Sequence, residues 1–371
     1  MYESTAAARY VQAVIAEIRG WKEVEPPVAV DTIYLGGGTP SLLAAEQLEQ
    51  ILRALHERFD VAVSAEVTIE MNPRSSAVQS PTSKFQSELS DAESAPSQLT
   101  AFRRLGITRV SFGAQTFDDE ALKQLGRTHT AADIRRTFRD LRTAGFDNIN
   151  FDLIAGLSGQ TLAGWEKNLD EAIALRPEHL SLYLLDVHEG TPLADQIRRG
   201  MRAQPDDDLT AEMYRVMIER VCAAGYEHYE ISNFCLRGHE ARHNTKYWIG
   251  APYYSFGCSA HSYDGERRRW SNERDAARYA ALIEARQSPI VETVDLSEQE
   301  ARAESMFLGL RMMRGLRFSE LSGRFGENPF VPYQDDLARF GEAGLIEIDG
   351  DLIKLTRNGA LLSNEVFAAF V

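Results

Sequence analysis

Residue types able to do chemistry gather in a few short stretches of this 371-residue chain. Gly36, Gly37 and Gly38 follow the apolar run Ile33–Leu35 and lead into Thr39, Pro40 and Ser41. Glycines behind a strand expose bare N–H and C=O groups at close range, which suits a ligand carrying an amino group and a carboxylate. A dinucleotide fingerprint would need glycine where Ser41 stands, and a P-loop would need a lysine that this stretch lacks. His239, Glu240 and His243 satisfy the His-Glu-x-x-His zinc pattern. That pattern works on one helix face with a third ligand placed later, whereas Gly238 and Asn244 flank it here, so the sequence argues against a zinc protease. Cys235, His239, His243 and Cys258 form a looser set of metal donors without regular spacing. With Cys222 they make three cysteines in all, too few for a disulfide framework, and they read as reduced thiols.

The hydrophobic pattern supplies the frame that must position these groups. Ala7, Tyr10, Val11, Val14, Ile15 and Ile18 keep the 3.6 period of a helix that Gly20 stops. Five β-rich runs follow, Asp31–Gly38, Ala65–Pro73, Arg109–Phe117, Asn148–Gly156 and His179–Val187, with helical patterns at Ala44–Phe59, Ala131–Ala144 and Leu162–Leu175. This alternation indicates βαβ units around a parallel sheet, and the apolar runs suit strands covered on both faces. Glycines 36–38, Glu70, Gln115 and Asp152 all stand at the C-terminal ends of these runs, the edge where such sheets bind ligands.

Two segments break the rhythm. Arg74–Gln98 is rich in serine, carries Pro81 and Pro96 and has no apolar period, so a disordered surface insertion is expected. Near residue 295 a capping box, Ser297 to Glu300, opens a run of helix, short helix, helix Pro332–Ala343, hairpin across Asp349-Gly350-Asp351 and a last helix to Phe370. The expected division is a βα domain over 1–294 and a winged-helix-like domain over 295–371. Charge argues against DNA as its partner: residues 297–371 hold 8 basic and 12 acidic side chains, 8 − 12 = −4, and the whole chain is at −15. No apolar run approaches ~18 residues and no leader is visible, so a cytoplasmic protein is expected.

Taken together, "GGGTPS", "TIEMNP", "RVSFGAQTF", "LGRTH", "FDLIAGL", "YEISNF", "HNTKYW" and "LTRNGALLSNEVFAAF" resemble the radical S-adenosylmethionine (SAM) family of oxygen-independent coproporphyrinogen III oxidases, and within it the heme chaperone branch. The resemblance implies an incomplete parallel (β/α)6-type barrel. It places Gly37, Gly38 and Thr39 against the methionyl end of SAM, and Glu70, Gln115, Arg127 and Asp152 against the rest of it. It makes His243 the candidate heme ligand, accompanied by Asn244, Tyr247 and Trp248, since neutral imidazole ligates iron and aromatic rings cover a porphyrin face. Arg267, Arg268 and Arg269 read either as a solvated hairpin tip or as a cluster that attracts porphyrin propionates.

One part of the family pattern is missing. Radical SAM chemistry uses a 4Fe-4S cluster held by three thiolates, supplied in the family as Cys-x3-Cys-x2-Cys after the first strand, and no such motif occurs here. The opening helix also lacks a strand before it. Either the chain starts beyond the cluster loop, which is the expectation favoured here, or it is a relative without a cluster. The resemblance therefore implies a heme chaperone that binds heme and SAM and delivers heme to acceptor hemoproteins. Two alternatives stand beside it: a coproporphyrinogen III oxidase, and a cluster-less SAM-binding regulatory module.

Overall fold

The computed structural model describes residues 4–22, 25–75 and 95–370. Most of the expected insertion at 74–98 lies outside the described residues; where description resumes, the chain is already helical over Ala95–Arg104, so the helix begins inside that segment.

The main sheet has seven strands: β1 (Ala29–Leu35), β2 (Asp60–Met71), β3 (Arg109–Gln115), β4 (Ile149–Ala155), β5 (His179–Leu184), β6 (Glu227–Glu230) and β7 (Asn233–Cys235). Their spatial order is β1-β2-β3-β4-β5-β7-β6, and β2 through β5 pair in parallel. Helices Ala45–Arg58, Ala95–Arg104, Ala131–Thr143 and Leu162–Leu175 make the crossovers. Residues such as Val110, Phe112, Phe151 and Leu153 are almost fully buried, the burial that continuous apolar strands foretell. The sheet is not parallel throughout: β7 runs antiparallel to β5 and β6 antiparallel to β7. Only two residues, Ile231 and Ser232, separate β6 from β7, and so short a link joins antiparallel strands only.

The fold groups into two compact units. One comprises residues 35–42 and 68–240. Its core is aromatic and sulfur-rich, with Phe112, Phe138, Phe151, Trp165, Met213 and Met217 buried, and Trp165 Nε1 donates to the Met213 carbonyl at 3.1 Å.

The other comprises residues up to 34, 43–67 and from 241 onward. Here the opening helix Ser4–Gly20 buries Val11, Ile15 and Ile18. Its Glu17 carboxylate accepts from Gly257 N at 2.8 Å, Asn272 Nδ2 at 2.6 Å and Tyr279 Oη at 2.5 Å. Burial raises that carboxyl despite the three donors. The unit also holds an antiparallel sheet of β8 (His261–Tyr263), β9 (Arg268–Asn272) and β10 (Ile290–Asp295). Beyond it come helices Glu298–Leu310, Phe318–Phe325 and Gln334–Glu342 and a three-stranded sheet of β11 (Leu316–Arg317), β12 (Ile346–Asp349) and β13 (Leu352–Leu355).

The capping box forms as expected: Ser297 N donates to Glu300 Oε2 at 2.7 Å and Glu300 N to Ser297 Oγ at 3.2 Å. The helix expected from Pro332 starts as a 3-10 turn, Val331–Tyr333, and turns α-helical at Gln334. The last expected helix is two, Arg357–Leu361 and Ser363–Phe367. Leu362 breaks it (φ −103°, ψ 29°), and the turn lets Val366 and Phe370 reach the core.

Gly359 lies so close to the Leu345 backbone that a Cβ there would overlap its carbonyl oxygen. Gly359→Ala is therefore expected to destabilise by roughly 1–3 kcal/mol. Gly341→Ala, on a helix with nothing within 4 Å of the added carbon, should instead stabilise by about 0.5–1 kcal/mol. Chemical denaturation of the two variants beside the parent checks both signs.

Candidate functional site

In the unit formed by 35–42 and 68–240, the residues at the strand ends converge. Gly37 takes a left-handed backbone (φ +83°), and its N–H donates to Glu70 Oε2 at 3.1 Å. Thr39 Oγ1 accepts from Asn72 Nδ2 at 3.1 Å, and Asn72 Oδ1 accepts from Arg127 Nη1 at 3.2 Å. Gly113 leaves room for the group: a Cβ on it would lie 2.9 Å from Gln115 Nε2 and 3.2 Å from Asn72 Oδ1. Gln115 itself ends β3 with φ 67°, a left-handed conformation sustained only where surroundings enforce it. Asn72 is thus the hub, and the sequence reading passed over it although it lies within "TIEMNP". Among the described residues, a Cβ built on Gly37 or Gly38 meets nothing within 4 Å, so the loop faces open room there.

Asp152 stands on β4, where its Oδ1 accepts from Asn150 Nδ2 at 2.7 Å. Burial pushes its carboxyl up to about 6 against the pull of Asn150, Arg109 and Ser181, and the Glu70 charge adds to the rise. Beneath it lies a polar network that sequence reasoning did not find. His179 Nδ1 is 2.6 Å from Asn150 Oδ1 and Nε2 is 2.7 Å from Tyr229 Oη. Burial holds His179 well below its ordinary pKa, so the neutral ring donates to Asn150 and accepts the Tyr229 hydroxyl. Arg109, 1% exposed, is the cation of this interior.

In the other unit, the helix Arg242–Trp248 carries His243, Asn244, Tyr247 and Trp248. Its N-cap, Ala241, offers no side-chain acceptor. Buried Glu66 on β2 takes that role: Oε2 accepts Arg242 N–H at 3.2 Å and Oε1 accepts His243 N–H at 3.1 Å. A carboxylate at a helix N-terminus is stabilised both by the free N–H groups and by the helix dipole. β1 holds the other side. His243 Nδ1 is 3.0 Å from Thr32 Oγ1, and its ring stacks on Tyr34 at 5.0 Å and 25°. Asp31 pairs with Lys246 Nζ at 2.5 Å and Arg242 Nη2 at 3.2 Å. Partial burial raises the Asp31 carboxyl, but the Lys246 bond and charge outweigh it and leave it low.

His243 Nε2 faces Tyr247 Oη at 3.0 Å. Asn244 is half-buried in the same helix, and the Trp248 ring lies 4.3 Å under the Arg311 guanidinium.

The zinc pattern does not assemble, because His239 and Glu240 lie in the loop before this helix. Among the described residues no three His, Cys, Asp or Glu side chains are grouped to hold a metal ion. Cys235 is buried in β7 with its thiol pushed up to about 12, while the Cys258 thiol meets Tyr10 Oη at 3.5 Å. The arginine cluster does not form one solvated tip either. Alternation along β9 sends Arg268 outward to Asp295 at 2.7 Å and Arg269 inward to Glu304 at 2.5 Å, leaving Arg267 exposed.

Comparison with known proteins places these observations. Residues 5–172 match the Radical SAM superfamily, and residues 296–362 match the HemN C-terminal domain. Heme chaperone HemW of Bacillus subtilis is 36% identical over 347 residues, spanning 92% of this chain and 85% of that protein. The Lactococcus lactis heme chaperone HemW is 34% identical over 364 residues, 98% and 89% of the two chains. Among solved structures, coproporphyrinogen III oxidase (HemN) from Escherichia coli aligns over 100% of this chain and 84% of its own at TM-score 0.81. At 22% identity that likeness is one of fold, and it bears out the radical SAM-type α/β architecture.

Glu66→Gln keeps the shape of the cap but removes its charge and one of its two acceptors. It should cost about 1–2 kcal/mol of stability and speed amide exchange at Arg242 and His243. Unchanged exchange at those two amides would show that the helix is held by other contacts.

Proposed function

The chain belongs to the HemW heme chaperone family of radical SAM proteins, and from that premise we propose that it binds heme and passes it to acceptor hemoproteins. The observation that carries this reading is the setting of His243. Thr32 at Nδ1 and the Tyr34 ring fix the imidazole's orientation, the arrangement by which proteins prepare a histidine for a metal. With Nδ1–H donating to Thr32, Nε2 is left to accept the Tyr247 hydroxyl. A phenol hydrogen bond, worth roughly 1 kcal/mol net, is an exchangeable partner for that nitrogen. Heme supplies iron for a coordination bond and a large apolar face; Tyr247 and Trp248, with Asn244 beside them, are the residues we assign to receive it.

The strand-end cluster is assigned to SAM. The open side of Gly37 and Gly38, with Thr39, suits the amino-acid end, and Arg127 is the cation for its carboxylate. Glu70, Gln115 and Asp152 supply hydroxyl acceptors. Asn72 joins the assignment because it ties Thr39 to Arg127.

A 4Fe-4S cluster does not fit the residues present, since the sequence holds no set of three neighbouring cysteines. The coproporphyrinogen oxidase alternative depends on that cluster and is less favoured; the heme chaperone relatives are closer in sequence. No helix among the described residues is long and apolar enough to cross a membrane. The proposal sets the protein in the cytoplasm.

Two measurements test the two assignments. A hemin titration followed at the Soret band should saturate for the parent and weaken at least ~10-fold for His243→Ala; equal affinities would remove His243 from the site. SAM affinity by calorimetry should rise by up to roughly tenfold from pH 5 to pH 7, because the Asp152 carboxyl ionises near 6 and its carboxylate is the stronger acceptor. Asp152→Asn should flatten that rise, and an unaltered slope would assign the titration elsewhere.

A further inference from the structure

The helix that carries His243 ends at a cavity of about 410 Å³ lined by Tyr247, Trp248, Tyr253, Tyr263 and Phe307, with Leu308, Arg269 and Glu304. Five of these eight are aromatic, and the charges in the lining belong to Arg269 and Glu304. The two pair at 2.5 Å, and Arg269 Nη1 also donates to Tyr253 Oη at 3.0 Å. The guanidinium carbon lies 4.4 Å from the centre of the Tyr263 ring. Two donors remain unanswered: Arg269 Nε and Trp248 Nε1 are buried without a hydrogen-bond partner among the described residues. A buried donor without an acceptor is costly and uncommon, and here two of them belong to residues that line the same aromatic cavity. Tyr247 connects the cavity to His243: its hydroxyl meets Nε2, and its ring meets the Tyr253 ring edge-on at 4.7 Å.

We propose that this cavity is the carboxylate subsite for one edge of a planar aromatic acid, which in the heme reading of His243 is a propionate-bearing porphyrin edge. The inference rests on that reading. A guanidinium fork is matched to a carboxylate, and Arg269 already holds one from Glu304, so the ligand's carboxylate takes the place of Glu304. The aromatic walls receive the ring face, and Arg269 keeps a carboxylate partner. The volume sits near the lower end of ligand pockets, which suits one edge of a porphyrin and not the whole macrocycle. The exchange is a swap of ion-pair partners and involves no bond change.

The test uses hemin, metal-free protoporphyrin IX and protoporphyrin IX dimethyl ester with the full chain, followed by absorbance and tryptophan quenching. In the parent, the free acid should bind at least ~10-fold more tightly than the ester. Arg269→Gln should weaken hemin and protoporphyrin IX alike and abolish the acid-over-ester preference; Arg269→Lys, which keeps charge without the fork, should fall between. Glu304→Gln removes the competing carboxylate and should tighten the free acid. His243→Ala should affect hemin alone. Equal binding of acid and ester by the parent overturns the subsite without needing any variant, and so does looser binding by Glu304→Gln. If hemin still depends on His243 while Arg269→Gln changes nothing, the subsite fails and the heme reading stands. If hemin binding is indifferent to both residues, the heme reading itself fails.

Discussion

Glu66 places a carboxylate from β2 against the first two N–H groups of the helix Arg242–Trp248, and the proposed iron ligand His243, with Asn244, Tyr247 and Trp248, hangs from that helix. The contact is costly to assemble, since a buried carboxylate needs donors in return for lost water. Seven helical residues provide little stability alone, because nucleating a helix consumes most of what its few hydrogen bonds return. What holds the segment is therefore its attachments: Glu66 at its start, Asp31 gripping Arg242 and Lys246, and Thr32 and Tyr34 on the imidazole. The ring of His243 is oriented by the sheet, through residues far away in sequence.

The strand-end cluster of the other unit relies on asparagine where the first relies on a carboxylate. Asn72 uses its amide as both donor and acceptor to bind Thr39 and Arg127 together, and Asn150 does the same for Asp152 and His179. An uncharged side chain that gives and takes is suited to sit between groups of unlike charge. Without Asn150 the Asp152 carboxyl would lose the foremost of the interactions that oppose burial.

Much of this frame was legible in the sequence, because parallel strands covered on both faces leave long apolar runs and their crossover helices keep a clean 3.6 period. The bounds of Leu162–Leu175 and the capping box at Ser297 are local facts, set by adjacent residues. β6 and β7 were not legible: Glu227–Glu230 and Asn233–Cys235 are too short to show alternation, and their pairing is settled by β5. The close approach of Gly359 to the Leu345 backbone, just before the break at Leu362, is a contact between segments that local patterning does not show. Site residues divide in the same way. Glycines and strand-end acids stand out by type and position, whereas "HNTKYW" points to heme only through the family resemblance. Glu66, Asn72, Asn150 and Thr32 matter only through what the fold lays beside them, and the faint signal was a polar side chain inside an apolar strand or just past its end.

The bond from His243 Nε2 to Tyr247 is given up by the imidazole to any metal that ligates that nitrogen. A small hydrated cation reaching that nitrogen would trade one hydrogen bond for one coordination bond, and would lose bound water without covering any apolar surface. A broad planar molecule gains area at Tyr247 and Trp248 in the same event. In the proposed reading that bond costs every metal at Nε2 the same, so the advantage over a stray divalent ion comes from the ring area a planar ligand covers at Tyr247 and Trp248.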